Sequence, residues 1–260
     1  MNTLEQPRRW EKVFWPLLAA GVFLAIWHGG VLLSASEVFP SPFNVAKGIQ
    51  ELIGKGVLGH YIADSLKRVF IGFGMAVVLG VPSGLTLGWY PAAARVVNPV
   101  IQMARPISPL AWIPLAIVWF GVGNAAAIYL IFFGAYFPIV VAAINGVRNV
   151  PAMFRRAGRN FGLRPVALLA KVVFPAALPQ ILVGLRIALG IAWLVVVAAE
   201  MIAVDSGLGY LVIDARNSGK RYDLVVAAML MIGTIGLVLD LGFRRLENFK
   251  PVRWGFRHDP

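Results

Sequence analysis

One stretch of this chain constrains its fold more than any other: residues 106–147 contain no Asp, Glu, Lys or Arg. As a single helix these 42 residues would extend ~63 Å, at a rise of ~1.5 Å per residue. The hydrocarbon core of a bilayer is only ~30 Å thick, so the run must fold back on itself once. Gly121-Val122-Gly123-Asn124 is the expected turn, because glycine and asparagine adopt the loop conformations that a reversal needs.

The composition excludes a water-soluble domain. Hydrophobic residues make up 59% of the chain and charged residues 14%, whereas soluble domains carry about 25% charged residues. The chain has no cysteine, which excludes disulfide frameworks, zinc–thiolate sites and cysteine nucleophiles. We therefore expect an all-α integral membrane protein.

Six membrane-spanning helices are predicted from the charge-poor runs, since a span needs about 20 mostly apolar residues. The predicted spans cover residues 13–36, 66–90, 100–120, 124–147, 180–203 and 224–243. They form one transmembrane domain over 13–246, between an N-terminal segment at 1–12 and a basic tail at 247–260. The first apolar run is longer than the roughly 7–15 residues of a signal-peptide core, so it is predicted to be a retained helix.

The basic residues predict the orientation of these spans. With six spans both termini lie on one side of the membrane, and that side carries 17 of the 24 Lys and Arg residues. Cytoplasmic loops are enriched in Lys and Arg, so both termini are predicted to be cytoplasmic. The net charge of +12 has the same origin, and no nucleic-acid partner is expected.

The longest cytoplasmic loop contains a short amphipathic helix. Phe154, Ala157 and Phe161 recur at helical spacing on one face, and arginines occupy the other faces. Pro151 can begin this helix and Gly162 can end it. Two functions fit the pattern. The arginines could contact anionic lipid headgroups at the membrane surface, or the Phe-bearing face could enter a groove on a cytoplasmic partner.

Several segments, in the same order along the chain, resemble a known family. The run 154–162, followed by Pro175 and Pro179, resembles the cytoplasmic loop of ABC-importer permeases, which is named for its Glu-Ala-Ala signature. More narrowly, the chain resembles the nitrate, sulfonate, taurine and bicarbonate branch of that family. The segments that carry this narrower resemblance are 40–42, 105–115, 119–121, 199–201, 207–210 and 214–216.

The resemblance implies the type I ABC importer permease fold, with six transmembrane helices and a cytoplasmic coupling helix in the loop 148–179. It implies a subunit of the bacterial inner membrane that forms the pathway for a small anion or zwitterion of the nitrate, sulfonate, taurine or bicarbonate class. The implied partners are ATP-binding subunits on the cytoplasmic face, a periplasmic or lipid-anchored substrate-binding protein, a second copy of the chain, and membrane lipid.

ATP and Mg²⁺ are expected in the partner ATPase, because no lysine of this chain has the glycines and the hydroxyl neighbour of a phosphate-binding loop. The chain is therefore predicted to be a non-catalytic subunit without a cofactor or metal of its own. The resemblance assigns ATPase coupling to Phe154, Arg155, Arg156, Ala157, Gly158, Arg159, Phe161, Gly162, Pro175 and Pro179.

The chain departs from the family pattern in the signature itself. Arg156-Ala157-Gly158 stands where Glu-Ala-Ala is usual, so a positive charge replaces a carboxylate. Gly158 is expected to loosen the helix by roughly 0.5–1 kcal/mol relative to alanine. A compensating acidic residue is expected on the ATPase.

Polar and aromatic residues in or beside the spans are candidates for the pathway. They are Trp112, Trp119, Asn124, Arg186 and Glu200. Each has a structural alternative. Glu200 could form an ion pair with Arg216 or Lys220, Arg186 could extend to the cytoplasmic surface, and tryptophans at span ends also form the interfacial belt.

Two other classes of membrane protein bear on the function. A stand-alone secondary transporter or channel for small anions is the alternative, since it would share the hydropathy but would not need a docking helix. A membrane-embedded enzyme is not expected, because His28, His60 and His258 fall in a span, an outside loop and the tail.

Overall fold

A computed structural model describes residues 11–34 and 38–247, and this part of the chain is helical without any β-strand. The helices are α1 (Glu11–Ser34), α2 (Pro42–Gly54), α3 (Val57–Trp89), α4 (Pro91–Ala104), α5 (Ile113–Phe120), α6 (Asn124–Arg148), α7 (Ala152–Asn160), α8 (Pro165–Leu168), α9 (Phe174–Ala203), α10 (Leu208–Asn217) and α11 (Tyr222–Glu247). The predicted N-terminal segment and basic tail lie almost entirely outside the described residues.

Four helical segments are long and apolar enough to cross a membrane: Val57–Trp89, Asn124–Arg148, Pro165–Ala203 and Tyr222–Glu247. A fifth crossing would come from Pro91–Ala104 together with Pro109–Phe120. In α1 the apolar helix Leu17–Leu33 is shorter than these spans. The all-α membrane fold is therefore confirmed, whereas the count of six spans stays a prediction.

The centre of the described structure is α6, which packs between α3 and α9. Glycines make both contacts close. A Cβ atom added to Gly72 of α3 would lie 2.8 Å from Cβ of Ile131, and one added to Gly184 of α9 would overlap the methyl group of Ala142. Small residues at such positions let helix backbones approach each other, which is how helices associate where no water drives them together.

The helix is broken within the predicted span 100–120, as its prolines Pro106, Pro109 and Pro114 indicate. The chain breaks after Ala104, passes through the one-turn 3₁₀ helix Pro109–Trp112, and continues as α5 at 84° to α4. The physical reason is the proline content, because Pro106 and Pro109 have no amide N–H to donate to a helix. The Ser108 side chain accepts a hydrogen bond from the Leu110 amide (3.3 Å), which begins the new helical direction.

Two helices extend beyond the predicted spans. Helix α3 begins at Val57 rather than near residue 66, and the helical run that contains α9 begins at Pro165 rather than at residue 180. Pro175 and Pro179 therefore lie in a helix and not in a loop. A π-helical turn, Leu169–Val173, directly precedes α9, and such wide turns accommodate a proline that cannot bond to the preceding turn.

Candidate functional site

Helix α7 has the boundaries that its sequence predicts. Pro151 precedes its first residue, with φ of −55°. At the other end Gly162 adopts φ of +75°, a conformation that favours glycine. The amides of Phe161 and Gly162 donate to the carbonyls of Ala157 (3.1 Å) and Arg159 (2.9 Å), which completes the last turn.

The two faces of α7 differ in what they contact. Gly158 is buried, and a Cβ atom added there would run into Cδ1 of Leu168. Ala157 is exposed, Phe154 is 40% exposed and Phe161 is 86% exposed. The structure therefore gives Gly158 a packing reason that the sequence did not reveal: it lets α7 lie close against α8 and present the face with the two phenylalanines outward.

The second feature is a buried polar cluster centred on Glu200. Its Oε1 atom accepts a hydrogen bond from Nη1 of Arg68 at 2.7 Å, in an ion pair of α9 with α3. Its Oε2 atom accepts from the Ser65 hydroxyl (2.9 Å) and from the Gly209 amide (2.9 Å). The predicted partners Arg216 and Lys220 were wrong, because Glu200 points into the protein and Arg68 lies at the same depth on α3.

Arg68 extends this cluster to two further elements. Its Nε atom donates to Oδ1 of Asn124 (2.6 Å), at the first residue of α6. Its Nη1 atom also donates to the backbone carbonyl of Ser206 (2.8 Å), just before α10. The guanidinium is 4% exposed and Glu200 is fully buried, so both charges are matched inside the protein.

The glycines before α10 make room for the cluster. Gly207 has φ of +106°, and a Cβ atom added there would overlap the Glu200 carboxylate. The carboxylate instead faces the first amides of α10, where a negative charge stabilises the positive end of the helix dipole. The Leu208 amide donates to the Ser65 hydroxyl (3.0 Å). The sequence Gly207-Leu208-Gly209 is thus explained by close contact with Glu200.

Arg186 is also neutralised within the fold. It lies on α9, and its Nε and Nη1 atoms contact Asp240 (2.6 Å) and Glu247 (3.4 Å) of α11. Arg244 contacts the other oxygen of Asp240 at 2.8 Å. Arg186 therefore links two helices through ion pairs, while its extension to the cytoplasmic surface and its role in the pathway stay predictions.

Trp112 and Trp119 lie in a group of aromatic rings on α5 and α6. The Trp112 ring is 4.8 Å from Phe133 and 6.4 Å from Trp119, centroid to centroid. Its buried indole N–H has no hydrogen-bond partner among the described residues. Within the same part of the chain no group of His, Cys, Asp or Glu is arranged to hold a metal ion.

Comparison with known proteins decides the family. Residues 76–249 match the family described as the inner membrane component of binding-protein-dependent transport systems. The chain belongs to this family. It is a multi-pass inner-membrane permease subunit of the ABC importer class, and the resemblance of its motifs to that class is confirmed.

Relatives of the permease match it over most of its length. A putative ABC transporter permease of Methanocaldococcus jannaschii is 44% identical, over 91% of this chain and 86% of the relative. The taurine transport permease TauC of Escherichia coli is 35% identical, over 90% of each chain. The nitrate import permease NrtB of Synechocystis is 35% identical, over 91% of this chain and 89% of the relative.

The fold of the permease has a solved counterpart. An inward-facing structure of the MetNI methionine ABC transporter superposes with a TM-score of 0.67, at 21% identity, over 77% of this chain and 97% of that chain. Both share the ABC importer permease fold.

Proposed function

We propose that this permease couples its pathway to ATP hydrolysis through α7, which fits into a groove on an ATP-binding subunit. The observation that carries the proposal is the outward face of α7, where Phe154, Ala157 and Phe161 are exposed on an otherwise basic loop. Interface energy concentrates in large aromatic side chains that a partner buries. The family signature has a carboxylate at the position of Arg156. Because this chain has a positive charge there, we expect an acidic residue on the ATPase at that contact.

The proposed substrate is a small anion or zwitterion of the nitrate, sulfonate, taurine or bicarbonate class, which a separate binding protein delivers and selects. The names of the taurine and nitrate relatives support this class. The charge distribution agrees with it, because residues 65–199 contain no Asp or Glu. A surplus of positive charge raises the local concentration of anions.

The proposal includes a second copy of the chain, which completes the pathway, and cytoplasmic termini in the inner membrane. The aromatic surface of α5 supports the second copy as a partner, since Trp119 and Phe120 are each about half exposed. They contact Tyr129 of α6 but are not covered by another helix of the described residues. The 17-to-7 division of basic residues supports the orientation.

Recovery of the ATPase with a tagged permease tests the docking. Phe161→Ala is expected to weaken docking by about 2 kcal/mol, a factor of about 30 in affinity, because a buried aromatic anchor is lost. Ala157→Asp is expected to weaken it more, since it places an unpaired charge in the contact. Phe43→Ala is the matched control, because Phe43 is similarly exposed but lies on α2.

Both variants are expected to express and to dimerise like the unmodified chain, while transport falls. Undiminished ATPase recovery with Ala157→Asp would contradict the docking. So would a loss that appears only when Arg155, Arg156 and Arg159 are replaced together, because that result would favour a helix held at the lipid surface. A permease that transports without any ATPase would support the stand-alone transporter instead.

A further inference from the structure

A cavity of about 510 Å³ lies between α7 and the end of α3. It is on the side of α7 that does not carry Phe161, and its volume lies within the roughly 300–1,000 Å³ of small-molecule sites. Its walls are formed by Trp89, Tyr90, Arg155, Arg159, Leu163 and Pro165, together with Leu168. Two cationic and two aromatic side chains thus share one concave surface.

Among the described residues neither arginine side chain forms an ion pair. Residues 65–199 contain no Asp or Glu, so every neighbouring segment of the cytoplasmic loop is basic or neutral. One N–H of Arg155 donates to the backbone carbonyl of Val150 at 3.3 Å. The Arg159 side chain has no hydrogen bond or ion pair with the described residues. Their charges are therefore available to an anion from outside the chain.

The aromatic residues place this cavity at the membrane surface. Trp89 is the last residue of the apolar helix α3, and it packs against the buried cluster that contains Val147 and Val173. Tyr90 follows at once and is about half exposed. Trp and Tyr at the end of a span lie at the level of the lipid headgroups, where an apolar ring meets a polar surface.

We propose that this cavity binds the phosphate group of an anionic lipid headgroup. Guanidinium groups bind phosphate through paired N–H donors, and two arginines one helical turn apart can hold one phosphate between them. The rings of Trp89 and Tyr90 cover the apolar part of the headgroup. The site is separate from the proposed ATPase groove: the outward face of α7 meets the ATPase, and its inner side meets lipid.

The test measures lipid retained by the purified permease–ATPase complex after exchange from mixed phosphatidylglycerol and phosphatidylcholine into detergent. Native mass spectrometry is expected to show phosphatidylglycerol retained in preference to phosphatidylcholine. Arg159→Gln is expected to lower retention of phosphatidylglycerol about fivefold, the effect of one basic residue beside an anionic surface. Arg148→Gln is the matched control, since it removes the same charge from the end of α6, outside the cavity and outside the proposed ATPase contact.

Three results would overturn the proposal. Equal retention of phosphatidylglycerol by Arg159→Gln and Arg148→Gln would show that the cavity does not bind lipid. Displacement of phosphatidylglycerol by millimolar inorganic phosphate, without effect on phosphatidylcholine, would assign the cavity to a soluble phosphate compound. Loss of the ATPase from Arg159→Gln with unchanged lipid would assign it to the protein partner. Arg155→Lys keeps the charge but loses the paired donors. Its retention of phosphatidylglycerol is expected to lie between that of the unmodified chain and that of Arg159→Gln.

Discussion

Arg68 and Glu200 form an ion pair of which only one member can be singled out from the sequence. A carboxylate inside an apolar run is costly, so Glu200 stands out in the sequence as a residue with a special role. Its partner does not stand out, because Arg68 follows Lys67 at the start of the predicted span 66–90, and basic side chains near the end of a span usually extend to the membrane surface. The pair forms only because α3 packs against α9 with both residues at the same depth in the bundle. No local sequence pattern predicts that packing.

Removing one member of this pair is expected to destabilise the permease strongly. Arg68→Met should lower the free energy of unfolding by roughly 3–5 kcal/mol, because it leaves Glu200 buried without its counter-charge. The double variant Arg68→Met/Glu200→Leu should regain much of this loss, since neither charge remains. Thermal unfolding in detergent, followed by tryptophan fluorescence, measures both effects.

Lys67→Met is the control for the Arg68 variants. Lys67 is the neighbouring residue and its side chain is 71% exposed, so its loss should change stability by no more than about 0.5 kcal/mol. If the losses of stability of Arg68→Met and of Glu200→Leu simply add in the double variant, the two side chains do not act as a pair.

At the scale of helices, the sequence predicts the ends of α7 and misses those of α10. Pro151 and Gly162 act locally, through a missing amide and a positive φ, and both signals can be read from the chain. The start of α10 depends instead on Glu200 and Ser65, which bond to its first amides from other helices. The break before α5 can be predicted from its prolines, but the 84° change in direction cannot.

Helix α2 is tied to the start of α11 by an ion pair that depends on pH. Nη2 of Arg221 contacts Oε2 of Glu51 at 2.6 Å, and Lys55 contacts Oε1 of the same carboxylate at 2.6 Å. The hydrogen bonds from Arg221 and then Lys55 lower the pKa of Glu51 from 4.5 to about 2. Since the folded-state pKa is depressed, the stabilising contact is complete above pH 4.5 and is lost as the pH falls towards 2.

The melting temperatures of the unmodified chain and Glu51→Gln provide the measurement. Their difference is expected to stay constant between pH 7 and about pH 5 and to shrink towards zero near pH 2. Lys55→Gln is the control. It keeps the contact between Glu51 and Arg221, so its melting temperature should stay above that of Glu51→Gln by most of that difference. A difference that persists unchanged at pH 2 would show that the carboxylate charge does not hold the two helices together.

For the whole molecule, the all-helical membrane fold and the family follow from the sequence, because apolar runs and several ordered motifs cover most of the chain. The arrangement of the spans does not follow, since it depends on where the glycines of α3 and α9 meet α6. The same holds for the candidate site. The face of α7 that carries Phe154 and Phe161 could be predicted from its spacing, whereas the cavity behind it exists only once α7 packs beside the end of α3.

The orientation of the molecule can be tested directly, because the chain has no native cysteine. Asn160→Cys, at the end of α7, is expected to react with a membrane-impermeant maleimide only from the cytoplasmic side. Asn217→Cys, at the end of α10, is expected to react only from the other side. Both positions are exposed, so access to solvent does not limit labelling. Labelling of both from one side would contradict the proposed topology.

The buried cluster around Arg68 also has a mechanical consequence. It joins α3, α6, α9 and α10 at one end of the bundle, so these helices cannot separate there without breaking an ion pair and its hydrogen bonds. For a rotation about this joint α3 forms one rigid arm with α6, because Gly80, Gly84 and Gly88 keep the two helices in close contact up to the far end of α3. From Arg68 to Trp89 the arm is about 32 Å long, so each degree of rotation would move its far end, beside α7, by about 0.6 Å.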